Sequence, residues 1–314
     1  MEIKIGAVAG ALELTERIRL PILEDLGVIA WVTDVLDFVV AHRKGGLIIG
    51  EKGSGKTFAA RRALRSFAEA EQMYEKHGDE YRHREVLFVP QIRGSKPRDV
   101  ICALYKAATG AGPSPRAGSY YKTDDDLLDE TIRAYEARNA VAVVIDEGEQ
   151  LSREALGVLE SFMSRSETMS DDRYEEGTYV PAGIGVVLLG TGRLRELAAS
   201  SPEWGRRWVR MQEVGLVEAD QVPGVYLRFL PGFEEHVDEI GEAAWDTFIE
   251  DAITHGEDQP LSFIENHVRT YVRRMRMAEP DLEDLGDVPF HEEIFDHARR
   301  HTLRPELARR RESA

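Results

Sequence analysis

Apolar positions fall into two rhythms along this chain. Short apolar runs read as strands: Leu47–Ile49, Ala140–Ile145 and the start of Gly183–Gly192 as buried strands, with Val86–Val89 and the short Val225–Leu230, which holds Arg228, beside them. Between them apolar side chains recur every three or four positions, the spacing of a helix with one buried face. Residues 11 to 44 follow that spacing, interrupted at Pro21 and Gly27, with Val32, Val35, Leu36, Val39 and Val40 on one stripe. Further helices are predicted from Thr57 to about His77, from Val100 through Tyr105, from Asp124 to Arg138, from Ser152 to Ser164 and from Arg193 to Ser200. Ser166–Pro181 is polar and acidic and predicts an exposed loop or small hairpin. Ser201–Arg210 predicts an arginine-rich turn. From Glu234 onward every signal is helical, on Trp245, Phe248 and Ile249, then Phe263, Ile264 and Val268, then Ile294, Phe295 and Ala298. Strands alternating with helices predict an α/β fold, a parallel sheet flanked by helices, followed by a small all-helical part. The expected divisions are 1–44, 45–232 and 233–314.

Composition narrows the picture only a little. The 314 residues are 42% hydrophobic and 31% charged, ordinary for a globular chain with a substantial core. Cys102 is the one cysteine, so no internal disulfide can form and a reducing compartment is the expectation. No apolar run approaches the roughly 18 residues a membrane helix needs, and Met1–Gly10 lacks the pattern of a secretory signal. The expected location is cytoplasmic, with no membrane partner. A net charge of −17 opposes a nucleic-acid footprint spread over the whole surface, but a local basic patch remains compatible with it.

Chemistry enters at the end of the first strand. Gly50-Glu51-Lys52-Gly53-Ser54-Gly55-Lys56-Thr57 fits G-x-x-x-x-G-K-[ST] without mismatch, between a predicted strand and a predicted helix. Glycines let backbone N–H groups close around an anion, and the new helix turns its positive end toward it. Lys56 is placed for the β- and γ-phosphates of ATP, and the Thr57 hydroxyl for Mg²⁺. The second decisive run, Ala140–Ile145, ends in Asp146-Glu147, two carboxylates at the edge where open α/β sheets bind ligands. Asp146 suits the Mg²⁺ shell and Glu147 suits removal of a proton from an attacking water. Thr191, at the end of Gly183–Gly190, suits a hydrogen bond to that water or the γ-phosphate, or the N-cap of the next helix, or both.

The order of these features resembles an AAA+ ATPase, a P-loop NTPase fold with a helical lid, over about residues 30 to 275. Within that family Ile145–Leu151, Gly183–Leu194 and Val86–Ala108 resemble the transposition regulators of the MuB, TnsC and TniB kind, with ExeA-like ATPases close by. The resemblance implies ATP hydrolysis with Mg²⁺, ATP-dependent oligomers (rings or helical filaments) on duplex DNA, and recruitment of a transposase or other recombination protein. It makes Thr191 the first sensor and Arg206 or Arg207, with Arg210 nearby, the finger reaching a neighbouring subunit's γ-phosphate. The second-sensor passage departs from the pattern: Leu261-Ser262-Phe263-Ile264-Glu265 stands there, with Arg269 a loose substitute.

Arg93, Lys96 and Arg98 follow the second strand, in the loop that faces DNA in those regulators; Tyr120, Tyr121 and Lys122 stand in a later loop. Such side chains would contact phosphates without reading sequence, although an ordinary solvated loop carries similar charges. The acidic total favours a second reading, an AAA+ or STAND-like switch acting on protein partners in defence, signalling or secretion, without DNA.

Overall fold

The computed structural model describes residues 23, 26–75, 83–92, 96–113, 123–169, 173–175, 178–215, 217–230, 233, 242–254, 260–278 and 290–302. The chain forms two compact units. One comprises Val28–Gly50 and Lys56–Val214; the described part of the other takes in Glu51–Gly55 and the helices between 219 and 302.

The first unit is a parallel sheet flanked by helices. Its elements are α1 (Val28–His42), β1 (Gly45–Ile49), α2 (Lys56–Glu75), β2 (Glu85–Val89), α3 (Pro97–Thr109), α4 (Asp124–Ala137), β3 (Ala140–Ile145) and α5 (Arg153–Met169). A small antiparallel pair follows, β4 (Arg173–Glu175) and β5 (Thr178–Val180), then β6 (Gly185–Gly190), α6 (Gly192–Ala199) and β7 (Trp208–Glu213). The five-stranded sheet runs β2-β3-β6-β1-β7, all pairings parallel. Every residue of β1, β3 and β6 is buried, which is why these three read as unbroken apolar runs. On one face Ile101, Leu104, Ile132, Tyr135, Leu159 and Phe162 pack over the sheet's Val143, Ile145 and Leu188. On α1, Val35 and Val39 lie so close to β1 that a Cβ on Gly46 would come within 2.7 Å of Val35. Only a residue without a side chain lets that helix seat there.

Two expectations are corrected. Val225–Leu230 is not a strand: Val222–Phe229 is a helix, α7, with proline in its first turn and Val222, Val225, Tyr226 and Phe229 buried at helical spacing. Its β-branched and aromatic residues suggested a strand, but the buried set follows the 3.6-residue period. The last strand is instead β7, which takes up the final three residues of the predicted arginine-rich turn Ser201–Arg210 and runs on to Glu213. β7 is an edge strand with Val209, Arg210 and Met211 exposed, so it lacks the apolar run of a central strand. The polar stretch after Ser164 starts as a continuation of α5 to Met169 and then forms the β4–β5 pair.

A charged brace sits at the opposite end of β1 from its C-terminus. Arg207, 5% exposed, donates to Glu167 Oε2 at 2.7 Å and to the Ser164 hydroxyl at 3.0 Å, while Lys44 donates to Glu167 Oε1 at 2.6 Å. Burial alone would push the Glu167 carboxyl up, but the bonds from Lys44 and Arg207 outweigh it and hold it below the usual glutamate range.

In the second unit α7 is joined by α8 (Glu242–Thr254), α9 (Pro260–Ala278) and α10 (Glu292–Thr302). Tyr226 is fully buried among Phe233, Trp245, Phe248, His267 and Phe295. Its hydroxyl lies 3.1 Å from His267 Nδ1, and His267 Nε2 lies 3.0 Å from the Phe295 carbonyl. A carbonyl can only accept, so Nε2 carries the proton and Nδ1 accepts from the tyrosine. Arg299 donates to the buried Asp251 at 2.6 Å and ties α10 to α8.

Candidate active site

The site is built at the C-terminal ends of the sheet strands. Backbone bonds lock those ends together: Gly50 N–H donates to the Gly190 carbonyl at 3.0 Å, Asp146 N–H to Val89 at 2.9 Å and Val214 N–H to Ile49 at 2.7 Å. Parallel pairing therefore brings Gly50, Asp146 and Thr191, distant in sequence, to one edge.

Gly50 ends β1 and Lys56 opens α2, so Glu51–Gly55 is the turn between them. Gly53 and Gly55 have φ of 80° and 88°, the left-handed region that side-chain-bearing residues avoid. At Gly55 a Cβ would also stand 2.5 Å from the Leu23 side chain. The turn closes on itself through Ser54 N–H to the Glu51 carbonyl, 3.3 Å. Lys56 is 8% exposed and its Nζ donates to the Gly50 carbonyl at 2.6 Å, which folds the ammonium back over the turn's start.

Thr57 and Asp146 meet directly. The Thr57 hydroxyl donates to Asp146 Oδ2 at 2.7 Å, and Asp146 Oδ1 accepts the Glu147 N–H at 2.9 Å. Asp146 is thus fixed through both oxygens. With its proton given to Asp146, the threonine oxygen keeps its lone pairs for a cation. A hydroxyl and carboxylates are hard oxygen donors that suit Mg²⁺. The residues present fit ATP with Mg²⁺: glycines where the backbone must turn, a buried lysine at the turn, and an oriented hydroxyl–carboxylate pair.

Glu147 adopts φ 56°, ψ 38°, a left-handed conformation that costs a non-glycine residue free energy and clusters at functional positions. It precedes a single 3-10 turn, Gly148–Gln150, and Gln150 Nε2 donates to Glu147 Oε2 at 2.6 Å. The sequence reading missed Gln150. Its one signal is a glutamine three residues beyond the glutamate, the reach of one tight turn.

Thr191 sits at the N-cap of α6 with extended backbone, and its hydroxyl makes no cap bond; only its carbonyl accepts, from Leu194 N–H. Its side chain is therefore not committed to capping. The arginines separate sharply. Arg206 is exposed, at 74%, with a 3.6 Å ion pair to Glu203, whereas Arg207 is buried in the brace described above. Arg210 pairs with Asp34.

Of the basic side chains proposed for DNA, Arg93 and Lys122 lie outside the described residues, as do Tyr120 and Tyr121. Lys96 is exposed at the N-cap of α3, its backbone N–H donating to Asp99 at 3.1 Å. Arg98 is exposed and donates to Asp124 at 2.6 Å. Arg269 pairs with Glu265 at 2.6 Å. Among the described residues no helix is long and apolar enough to cross a membrane.

The AAA domain family model matches residues 40–198, about half of the chain. No curated protein matches in sequence. In structure the chain is similar to the Aeropyrum pernix ORC2 protein, solved as ADPNP-ADP complexes, with a TM-score of 0.55 and 15% identity over 88% of this chain and 66% of that one. It is similar also to the Aeropyrum pernix ORC1 protein in complex with DNA, with a TM-score of 0.51 and 15% identity over 88% of this chain and 64% of that one. The chain thus spans just under two thirds of the length of either protein, and at this identity the likeness carries the fold.

Proposed function

This chain belongs to the AAA domain family, and we propose that within it the protein is an ATP-hydrolysing switch that assembles on duplex DNA. Subunits carrying ATP form the oligomer, which recruits a transposase or other recombination protein, and hydrolysis releases it. The observation that carries the ATPase reading is the Thr57–Asp146–Glu147 array, in which one carboxylate is pinned by two bonds and the next stands in a strained conformation beside it.

In this reading the turn Glu51–Gly55 and Lys56 hold the phosphates, and Thr57 with Asp146 holds Mg²⁺. The ion, when bound, neutralises charge on the phosphate oxygens. Glu147 takes a proton from a water whose oxygen bonds to the γ-phosphorus while the bond to the ADP oxygen breaks, giving ADP and inorganic phosphate. Thr191, its hydroxyl free of capping, orients that water. Arg206, exposed and weakly paired, reaches the site of a neighbouring copy. A triphosphate contact made across subunits favours the assembled state over the separate one, which is what a switch requires.

The DNA part rests on exposed Lys96 and Arg98 after β2, on the resemblance to transposition regulators, and on fold similarity to an ORC1 protein solved with DNA. The Arg98–Asp124 pair and the net charge of −17 favour the second reading, a switch acting on protein partners. Duplex binding with ATP, a non-hydrolysable analogue, ADP or no nucleotide, at two salt concentrations, decides between them. Binding confined to the triphosphates and falling steeply with salt supports the DNA switch. ATP binding without DNA binding under any condition gives the protein-directed switch.

A further inference from the structure

Glu147 is the residue on which hydrolysis turns in the reading above, and its side chain is not left to find its own position. Gln150 Nε2 lies 2.6 Å from Glu147 Oε2. A carboxylate of this kind offers only acceptors, so the nitrogen of the Gln150 amide must face it. The other end of the amide, Oε1, accepts from Gln91 Nε2 at 3.4 Å, which agrees with the same orientation. The backbone supports this placement twice. Gln150 N–H donates to the Glu147 carbonyl at 3.0 Å, and the left-handed Glu147 bends the chain into the 3-10 turn that brings the two side chains together.

We propose that Gln150 is a positioning residue for Glu147: its amide holds Oε2 and leaves Oε1 as the oxygen that receives the proton. This rests on the ATPase reading and adds the device that orients its base. A flexible glutamate samples several rotamers, and only those with an oxygen within hydrogen-bond reach of the water are productive. Fixing one oxygen by a short, charge-assisted bond removes most of the others at no cost to nucleotide binding, because Gln150 is exposed and stands on the glutamate rather than on the phosphates.

Two substitutions test it. Gln150→Met keeps length and removes the donor; Gln150→Glu sets a second carboxylate against the first. Steady-state hydrolysis is measured beside equilibrium ATP affinity, the latter in the Glu147→Gln background as well. The expected result is kcat about 10-fold lower in Gln150→Met and lower still in Gln150→Glu, with ATP affinity unchanged in both. In Glu147→Gln protein, Gln150→Met adds no further loss. A readout independent of turnover is the Gln150 side-chain amide resonance of the nucleotide-free protein, which Glu147→Ala should move. Unchanged or raised kcat in Gln150→Met, or an amide resonance indifferent to Glu147→Ala, overturns the proposal. If Glu147→Gln itself keeps full hydrolysis, it is the assignment of Glu147 as the base that fails, and the two failures are distinct.

Discussion

The Thr57 hydroxyl stands 2.7 Å from the Asp146 carboxylate across 89 residues of sequence, because β1 and β3 both run parallel to β6 and end at the same edge. That contact joins the first turn of α2 to the acidic pair, so nucleotide binding should depend on both strands' ends at once. Lys56→Ala removes the buried ammonium beside the Gly50 carbonyl and should weaken ATP binding about 100-fold, the scale of a lost charge-assisted bond to phosphate. Thr57→Ala should leave some binding but abolish its dependence on Mg²⁺. Titration with a fluorescent ATP analogue, with and without Mg²⁺, reads both; unchanged affinity in Lys56→Ala would remove the site assignment.

Glu147→Gln keeps the shape and hydrogen-bonding length of the side chain while removing the base. ATP should bind as before, and kcat should fall at least about 100-fold, the usual contribution of general-base catalysis. Because hydrolysis is proposed to dissolve the oligomer, the variant should remain assembled with ATP. Size measurement over time after ATP addition checks this, and rapid disassembly would separate hydrolysis from the switch.

The fold was legible wherever a strand is buried on both faces. β1, β3 and β6 are unbroken apolar runs, and the motif residues lie at their ends, so Gly50–Thr57 and Asp146-Glu147 announced themselves. The edge strand β7 did not, because exposure of Val209, Arg210 and Met211 erases the apolar run. Helix α7 misled for the opposite reason, its one buried face being rich in residues that also favour strands. Sequence could not rank Arg206 against Arg207 either. They are neighbours of the same type, and only the tertiary position of Glu167 and Ser164 makes one structural and leaves the other exposed. Gln150 was equally invisible, since a glutamine on a polar turn has no distinctive pattern until its partner is placed.

That contrast between the arginines gives two separable phenotypes. Arg206→Ala removes an exposed side chain, so folding and single-subunit ATP binding should be unchanged, while hydrolysis stimulated by neighbouring copies falls about 1000-fold. Arg207→Ala leaves Glu167 half-buried with Lys44 alone and should destabilise the protein by about 2 kcal/mol, the scale of losing hydrogen bonds to a charged group. Thermal unfolding beside concentration-dependent ATPase assays distinguishes them. An Arg206→Ala protein that hydrolyses normally would move the finger role elsewhere.

The helical unit carries its own pH dependence. Burial lowers the His267 pKa from 6.5 to about 3, only partly opposed by its bond to the Phe295 carbonyl. Above pH 6.5 the imidazole is neutral in both the folded and the unfolded chain, and the Tyr226–His267–Phe295 bonds are intact. Between pH 6.5 and about 3 the unfolded chain binds a proton that the folded one refuses, so stability falls as pH falls, by up to about 1.4 kcal/mol per pH unit from this one group. Replacing the histidine should flatten that slope while lowering stability at neutral pH, because the Tyr226 hydroxyl and the Phe295 carbonyl lose their buried partner. Denaturant unfolding of the whole chain at pH 7.5, 6 and 5, read by tryptophan fluorescence and compared with His267→Gln, measures both effects. Equal slopes in the two proteins would mean that His267 is protonated in the folded state, and that the aromatic cluster around Tyr226 is open to water.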